Sequence, residues 1–340
     1  MFARQIILDP PCSTCSVRVE RIATLGSDDG LGALGSYPEA ARDREGNFLV
    51  SYFENRSQFL VFDSTGSFIR SVGRQGAGPG EYRFVRHISA TERAVYIWDS
   101  TGRRITELLA GDSAARTFPI LGDPLSVAVI DDSTFVYNAV VTTSDLIGKP
   151  FHVLHAGAAR PLSFGDEGEA FRPDVGFAGR RAVDRADATS FWAGLSTEYR
   201  LQRWSLDGVR LGEWVRNVDW FPRHYTEPLP DPERPPAPYI VDIAGLTNGR
   251  VVVLIAVPDP RWREGIVPSP VPEGTGYQIG DANRYFDTMI ELIDPERAVV
   301  LGSTRVDAFL VSMLDASTAL SYRETEAGFP RADVWRFHFH

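Results

Sequence analysis

Residues 17–22 read Val-Arg-Val-Glu-Arg-Ile, and residues 334–339 read Val-Trp-Arg-Phe-His-Phe. Both segments have the length and the composition of a β-strand. The first segment has no partner in the strand pattern that follows it, whereas the second ends a repeat that is one strand short. Pairing of the two segments would close a ring and remove an exposed sheet edge. The two ends of the chain therefore predict a circular fold.

Between these segments the chain repeats one pattern of four β-rich stretches joined by Gly- and Asp-containing turns. The repeats are predicted near residues 37–72, 84–119, 125–164, 181–214, 239–301 and 309–340. No stretch has a sustained 3.6-residue period with a cap at both ends. We predict an all-β fold: a six-bladed β-propeller with four-stranded antiparallel blades, closed by the strand near 17–22. Residues 1–15 are interpreted as a tail and residues 16–340 as a single propeller domain.

The composition limits the classes of function. The chain has 340 residues, of which 35 are basic and 45 acidic, so its formal net charge is −10. This balance argues against a phosphate backbone as the main ligand, and no nucleic-acid partner is expected. No apolar run reaches the ~20 residues that a transmembrane helix needs. The N-terminus lacks a basic stretch followed by an apolar one, so no signal peptide is visible. We expect a monomer.

The two cysteines, Cys12 and Cys15, are separated by two residues. A redox motif of this spacing should open a helix after a strand, but a strand-like stretch follows here. A zinc site needs about four ligands, and the chain has no second cysteine pair. The pair is therefore interpreted first as a local disulfide or as inert thiols, with redox chemistry and metal binding as the alternatives.

A family resemblance lies in residues 97–105, Ile-Trp-Asp-Ser-Thr-Gly-Arg-Arg-Ile, which resemble the NHL-type repeat of six-bladed propellers. Residues 25–30 and the Gly-rich run 72–82 look like bacterial proteins described only as six-bladed β-propellers. The chain departs from the NHL pattern because the Asn usually found before the Arg-Ile pair is absent. More distantly it resembles gluconolactonase- and regucalcin-type propellers. The resemblance implies an extracytoplasmic, periplasmic or secreted protein and leaves the function open.

The long loops predict a binding face. Connections between the second and third strands of a repeat, and between repeats, are the longest, and in a propeller they emerge on one face around the central channel. Aromatic and Arg side chains in these loops suit a small-molecule, carbohydrate, peptide or protein ligand, unless the rings pack down onto the blades. The candidate binding residues are Arg74, Tyr82, Arg83, Trp220, His224, Tyr225, Arg261, Trp262, Arg263, Tyr277, Arg284 and Tyr285.

The predicted channel offers few residues for chemistry. Enzymes among the similar propellers use a channel metal, and the residues expected in this channel are Glu39, Arg86, His87 and Asp242. These do not form a convincing set of hard-metal ligands, so no catalytic residue, metal or cofactor is assigned. The leading interpretation is a non-enzymatic binding propeller. The alternatives are a calcium-dependent channel enzyme resembling gluconolactonase or a propeller lyase, and a purely structural scaffold.

Overall fold

The computed structural model describes residues 5–8, 16–141, 143, 145–165, 179–224, 230–271 and 274–339. Cys12 and Cys15, predicted as a disulfide candidate, lie outside these residues. Within them the chain forms a six-bladed β-propeller, as predicted. Each blade is a four-stranded antiparallel sheet, and a fifth strand is added to blade 4.

The strands follow one another around the ring in chain order. Two strands precede blade 1: β1 (Gln5–Ile7) and β2 (Val17–Leu25). Blade 1 contains β3 (Glu39–Arg42), β4 (Phe48–Ser51), β5 (Phe59–Phe62) and β6 (Phe68–Val72). The crossing to blade 2 carries β7 (Arg74–Gln75) and β8 (Glu81–Tyr82). Blade 2 contains β9 (Val85–Ala90), β10 (Val95–Asp99), β11 (Arg104–Leu109) and β12 (Ser113–Pro119).

The second half continues the pattern. Blade 3 contains β13 (Asp123–Asp131), β14 (Thr134–Val140), β15 (Phe151–His155) and β16 (Leu162–Phe164). Blade 4 contains β17 (Arg181–Arg185), β18 (Ser190–Leu195), β19 (Arg200–Ser205) and β20 (Arg210–Val215). Blade 5 contains β21 (Tyr239–Gly245), β22 (Val251–Pro258), β25 (Phe286–Asp294) and β26 (Val299–Val306). An insertion between β22 and β25 contains the strands β23 (Ile266–Val271) and β24 (Gly274–Ile279) and the helical turn α1 (Ala282–Tyr285). Blade 6 contains β27 (Leu310–Asp315), β28 (Thr318–Glu324), β29 (Pro330–Phe339) and β2.

The ring closes as the sequence predicts. Strand β2 pairs antiparallel with β29, and Val17 lies opposite Phe339 while Leu25 lies opposite Ala332. The pairing extends three residues beyond the predicted 17–22, because Ala23, Thr24 and Leu25 continue the strand after a register shift. The last blade thus takes its outer strand from the start of the chain.

The core consists of six apolar clusters, counted over the described residues, and one cluster lies between each pair of neighbouring blades. Each blade is therefore covered on both faces, so its middle strands must be apolar throughout rather than alternating. Strand β22 shows this pattern, since residues 251–257 read Val-Val-Val-Leu-Ile-Ala-Val and are all buried.

Two elements differ from the sequence-based expectation. Strand β1, in the segment interpreted as a tail, pairs in parallel with β20 and so extends the outer edge of blade 4. The insertion 259–286, expected as a loop, contains the antiparallel pair β23–β24 and two helical turns, the 3₁₀ turn Trp262–Gly265 and α1. No helix in the described residues is long and apolar enough to cross a bilayer.

We call the face that carries the connections between second and third strands, and between blades, the upper face. The opposite, lower face carries the short first and third turns of the blades. Aspartates shape these turns: Asp43 Oδ1 accepts hydrogen bonds from the N–H groups of Glu45 and Asn47, and Asp131 Oδ1 accepts one from Ser133. Aspartate is favoured in such turns because its carboxylate binds amides two residues ahead.

Candidate functional site

The first strands of the six blades surround a central cavity of about 640 Å³. Of the residues predicted in the channel, Glu39, His87 and Asp242 line this cavity, and so does Asp184, which was not predicted. Arg86 lies instead beside Asp123, with its Nε 4.0 Å from an Asp123 carboxylate oxygen. The lining extends down to Arg44, Glu92 and Ala316 in first turns, so the cavity reaches the lower face.

Polar side chains of the channel link each blade to the next. The His87 ring lies with Nδ1 3.6 Å from a Glu39 carboxylate oxygen of blade 1, and its Nε2 is 3.0 Å from the Pro124 carbonyl oxygen of blade 3. Burial opposes ionisation of Glu39, but the contact with His87 and the nearby guanidinium groups of Arg86 and Arg56 outweigh it and lower the pKa of Glu39. This carboxylate is therefore charged and directed at the neighbouring blade.

The links continue around the other half of the ring. Ser126 Oγ accepts from the Val183 amide at 2.9 Å, and Asp184 Oδ2 accepts from the Gly245 amide at 2.7 Å. Asp242 Oδ2 accepts from the Met313 amide at 2.8 Å. Blade 6 returns to blade 1 through Arg42, which donates to Asp315 at 3.3 Å. We call this set the channel belt; its members are Glu39, Arg42, His87, Ser126, Asp184, Asp242 and Asp315.

The belt explains why acidic groups occur on inner strands. Burial raises the pKa of Asp184 to about 7 and that of Asp242 to about 6, and repulsion from a neighbouring carboxylate adds to both shifts. Perturbed acids in a cavity often mark a catalytic site. Here, however, each carboxylate accepts a hydrogen bond from an amide of the next blade, so its position has a structural cause.

The titration of Asp184 can be tested through stability. Because its folded pKa of about 7 lies above the ordinary value of ~4, the folded state holds an extra proton between these values, and its stabilising effect is lost as pH rises through 7. Asp184→Asn keeps an acceptor for Gly245 but cannot ionise. We expect the unfolding midpoint of the variant, relative to the unchanged protein, to rise between pH 5 and pH 8 by the equivalent of at least ~1 kcal/mol.

Asp187→Asn is the matched control on the same blade. Despite partial burial, hydrogen bonds from Thr189 and Ser190 lower the pKa of Asp187 to about 2, so it stays ionised throughout this range. Its substitution should have the same effect at pH 5 and pH 8. An equally constant effect of Asp184→Asn, measured by chemical denaturation, would contradict the assignment.

Three predicted binding residues belong to the core and not to the surface. Tyr82 and Tyr285 are fully buried, and Trp262 is 6% exposed. Trp220 is half-buried and packs against Tyr199, with ring centroids 6.1 Å apart. The prediction of an exposed aromatic face is therefore corrected at these positions: the rings fold down between the blades because large apolar surface is stabilised by leaving water.

The arginines of the upper face remain accessible, but most have partners. Arg74 Nη2 lies 2.9 Å from Glu81 Oε1. The Arg263 guanidinium stacks 4.4 Å from the Trp262 ring centroid, and its Nε donates to the Pro232 carbonyl oxygen. These contacts neutralise or tether the side chains.

The remaining predicted residues are dispersed. Arg83 is exposed, Tyr277 on β24 is 38% exposed, and Arg284 in α1 is partly buried. The His224 ring is 2.8 Å from the Pro238 carbonyl oxygen, so it joins the two ends of its own loop. Tyr225 lies outside the described residues. The predicted positions thus form no single pocket in the described structure.

An exposed aromatic cluster lies elsewhere on the upper face, where blades 6 and 1 meet. Tyr37 precedes β3, Phe53 lies between β4 and β5, and Tyr322 is in the upper half of β28. Tyr37 stacks on Tyr322 and meets Phe53 edge to face, with 6.3 Å between centroids in both pairs. Tyr37 is 71% exposed and Phe53 is 58% exposed. We call these three residues the rim cluster.

Backbone strain and negative charge accompany the rim cluster. Tyr37 has φ of +50°, which is unusual for a bulky residue and is more so before a proline. The hydroxyl of Tyr322 donates to Glu324 at 2.9 Å, and Glu54 holds the amide and hydroxyl of Ser36 beside Tyr37. The pKa of Glu54 is lowered, because these hydrogen bonds outweigh its burial. The exposed rings are thus flanked by carboxylates.

Comparisons with known proteins agree with the fold. Residues 45–138 match the model of a family described as "6-bladed beta-propeller". A structure described as a candidate exported protein from Bacteroides fragilis aligns with a TM-score of 0.60 and 11% identity over 98% of this chain and 100% of that one. A DUF4221 family member from Bacteroides vulgatus aligns with a TM-score of 0.61 and 7% identity over 96% and 99%. No protein with a curated description matches the chain. At these identities the likeness concerns the fold.

Proposed function

We propose that the protein is a non-enzymatic binding propeller that recognises a cationic segment of a partner protein at the rim cluster. The observation that carries the proposal is the rim cluster, in which the exposed rings of Tyr37 and Phe53 pack beside the partly buried Tyr322. Exposing the two aromatic rings to water forgoes the stabilisation that burial would give. Holding Tyr37 at positive φ adds backbone strain at the same place. Strain and exposed aromatic surface at one place are typical of a binding surface.

The charge around the cluster selects the ligand class. Aromatic faces attract Lys and Arg side chains through the ring quadrupole, and this attraction is worth ~0.5–2 kcal/mol. Glu54 and Glu324 add Coulombic attraction for a cation, and the formal net charge of −10 favours its approach. An anionic ligand has less support because Arg74 and Arg263 are engaged within the protein.

The channel-enzyme alternative also has less support, because Asp184 and Asp242 are held by amides of neighbouring blades. We further propose an extracytoplasmic location. The description of the B. fragilis neighbour as a candidate exported protein supports this proposal.

The binding proposal predicts a selective loss of affinity. Calorimetric titration with an arginine- or lysine-rich octapeptide is expected to give saturable binding that Tyr37→Ala weakens at least tenfold, a loss of ~1.4 kcal/mol. Ile69→Ala on the outer strand of blade 1, where Ile69 is 45% exposed, is the control and should leave the affinity unchanged. A glutamate-rich octapeptide and malto- and cello-oligosaccharides test the other ligand classes. Equal binding of both variants, or preference for the acidic peptide or a sugar, would refute the proposal.

A further inference from the structure

Three aspartates converge at the upper end of blade 5, away from the channel. Asp259 follows β22, Asp287 is the second residue of β25, and Asp307 follows β26. These three strands are neighbours in the sheet, and their upper ends coincide because Val257 pairs with Asp287 and Thr288 pairs with Val306. One carboxylate oxygen from each aspartate lies within 4.8 Å of the others. Among the described residues this is the one such group of three acidic, His or Cys side chains.

Two of these carboxylates are buried and incompletely satisfied. Asp259 is 1% exposed and Asp287 is 4% exposed. The Arg261 amide donates to Asp259 Oδ1, and Arg305 Nε donates to Asp287 Oδ2 at 2.6 Å. The other oxygens, Asp259 Oδ2 and Asp287 Oδ1, are buried and have no hydrogen-bond donor in the described structure. A buried anionic oxygen without a partner is costly, and neighbouring carboxylates repel each other as well.

The nearby arginines do not reach these two oxygens. Arg305 already donates hydrogen bonds to Asp287 Oδ2 and to the Pro258 carbonyl oxygen. Arg261 lies 3.7 Å from Asp259 Oδ1 and 3.9 Å from Asp307, which is beyond hydrogen-bonding distance. Three carboxylates face two guanidinium groups, so the group carries a net negative charge when all three acids are ionised. The two unsatisfied oxygens can be satisfied by a cation or by a proton.

We propose that Asp259, Asp287 and Asp307 form a calcium site. Calcium prefers carboxylate oxygens, accepts irregular geometry and completes its shell of six to eight ligands with water. Asp307, whose side chain is 80% exposed, leaves the solvent side open for such waters. The two arginines oppose cation binding, so the affinity belongs in the weak range of ~0.1–1 mM known for extracellular modules. The site is separate from the rim cluster, so either proposal can fail without the other.

Terbium luminescence and thermal unfolding test the site on the full chain. Trp262 begins the turn that follows Asp259, so its excitation should sensitise bound Tb³⁺, and Ca²⁺ should displace the signal. Ten millimolar CaCl₂, compared with NaCl of equal ionic strength, is expected to raise the unfolding temperature by ~2–5 °C. MgCl₂ should act more weakly, since Mg²⁺ demands stricter geometry and keeps its waters.

Asp307→Asn removes a ligand without disturbing a buried group. It should raise the calcium concentration needed to displace Tb³⁺ and to stabilise the protein about tenfold. Glu264→Gln, an exposed acid on the same insertion, is the control and should respond to calcium as the unchanged protein does. The proposal is overturned if calcium has no effect beyond ionic strength, or if Asp307→Asn responds normally. It is also overturned if lowering the pH stabilises the protein while calcium does not, since a shared proton would then satisfy the pair.

Discussion

Glu291→Ala is expected to destabilise the propeller by about 3–5 kcal/mol, the usual result of leaving one buried charge without its partner. Glu291 lies on β25 and is 1% exposed. It accepts hydrogen bonds from the Arg216 guanidinium and the Tyr199 hydroxyl of blade 4, and Ser303 Oγ donates to its other oxygen at 3.1 Å. Removal of the carboxylate leaves Arg216, 7% exposed, as an uncompensated cation between two blades.

Burial and the nearby Glu291 carboxylate raise the pKa of Tyr199 well above its ordinary value, so its hydroxyl stays a donor at all ordinary pH values. The substitution therefore leaves two buried donors, the Arg216 guanidinium and the Tyr199 hydroxyl, without their acceptor. Urea unfolding followed by tryptophan fluorescence measures the loss. Glu296→Ala, in the exposed turn between β25 and β26, should change stability by less than ~0.5 kcal/mol.

The double variant Arg216→Met/Glu291→Met shows whether the loss comes from the unpaired charge of Arg216 or from the missing hydrogen bonds of Glu291. If the damage comes from the unpaired charge, removal of both groups should recover most of the stability, because apolar replacements of buried ion pairs are often neutral or stabilising. A Glu291→Ala variant within ~1 kcal/mol of the unchanged protein would show that water reaches Arg216.

The architecture was predictable because its signals are local or lie at the chain ends. Aspartate turns, β-rich stretches and a last repeat lacking one strand specify the ring without knowledge of side-chain packing. Asp99, in the motif that carries the resemblance, shows why such motifs are readable. Its carboxylate accepts from the amides of Arg83, Phe84 and Gly102, so one residue fixes both its own turn and the crossing between blades.

The candidate sites were less predictable because they depend on distant residues. The rim cluster joins positions 37, 53 and 322, and each ring alone resembles an ordinary strand or loop residue. Conversely, Trp262 and Tyr285 lie in a long insertion beside arginines, which suggested exposure, yet they pack onto blade 5. The composition of a loop does not show whether its aromatic rings pack against the blades or face solvent. Glu291 is different, because an acidic residue between apolar neighbours on a middle strand indicates a buried ion pair from the sequence alone.

Deletion of residues 1–25 should have the largest effect, since it removes the strand that closes the ring. Strand β2 contributes the buried Val17, Ala23 and Leu25 to the clusters that flank blade 6. It also supplies Thr24 and Arg21, which donate to the buried Asp333 on β29. We expect an aggregating protein, or a soluble one less stable by more than ~5 kcal/mol, because an apolar edge strand is left unpaired.

Deletion of residues 1–8 is the control, because it removes β1 and Leu8 from the outer edge of blade 4 and leaves β2 in place. That variant should remain a folded monomer by size-exclusion chromatography and lose ~2–4 kcal/mol, because Leu8 is buried and Ile6 is partly buried against the apolar cluster between blades 4 and 5. A synthetic peptide of residues 16–26 should bind the longer deletion and restore its solubility, since it supplies the missing strand in trans. If the deletion of residues 1–25 unfolds at the same urea concentration as the unchanged protein, blade 6 does not need β2. The ring would then be held by the apolar clusters between blades rather than by closure of its last sheet.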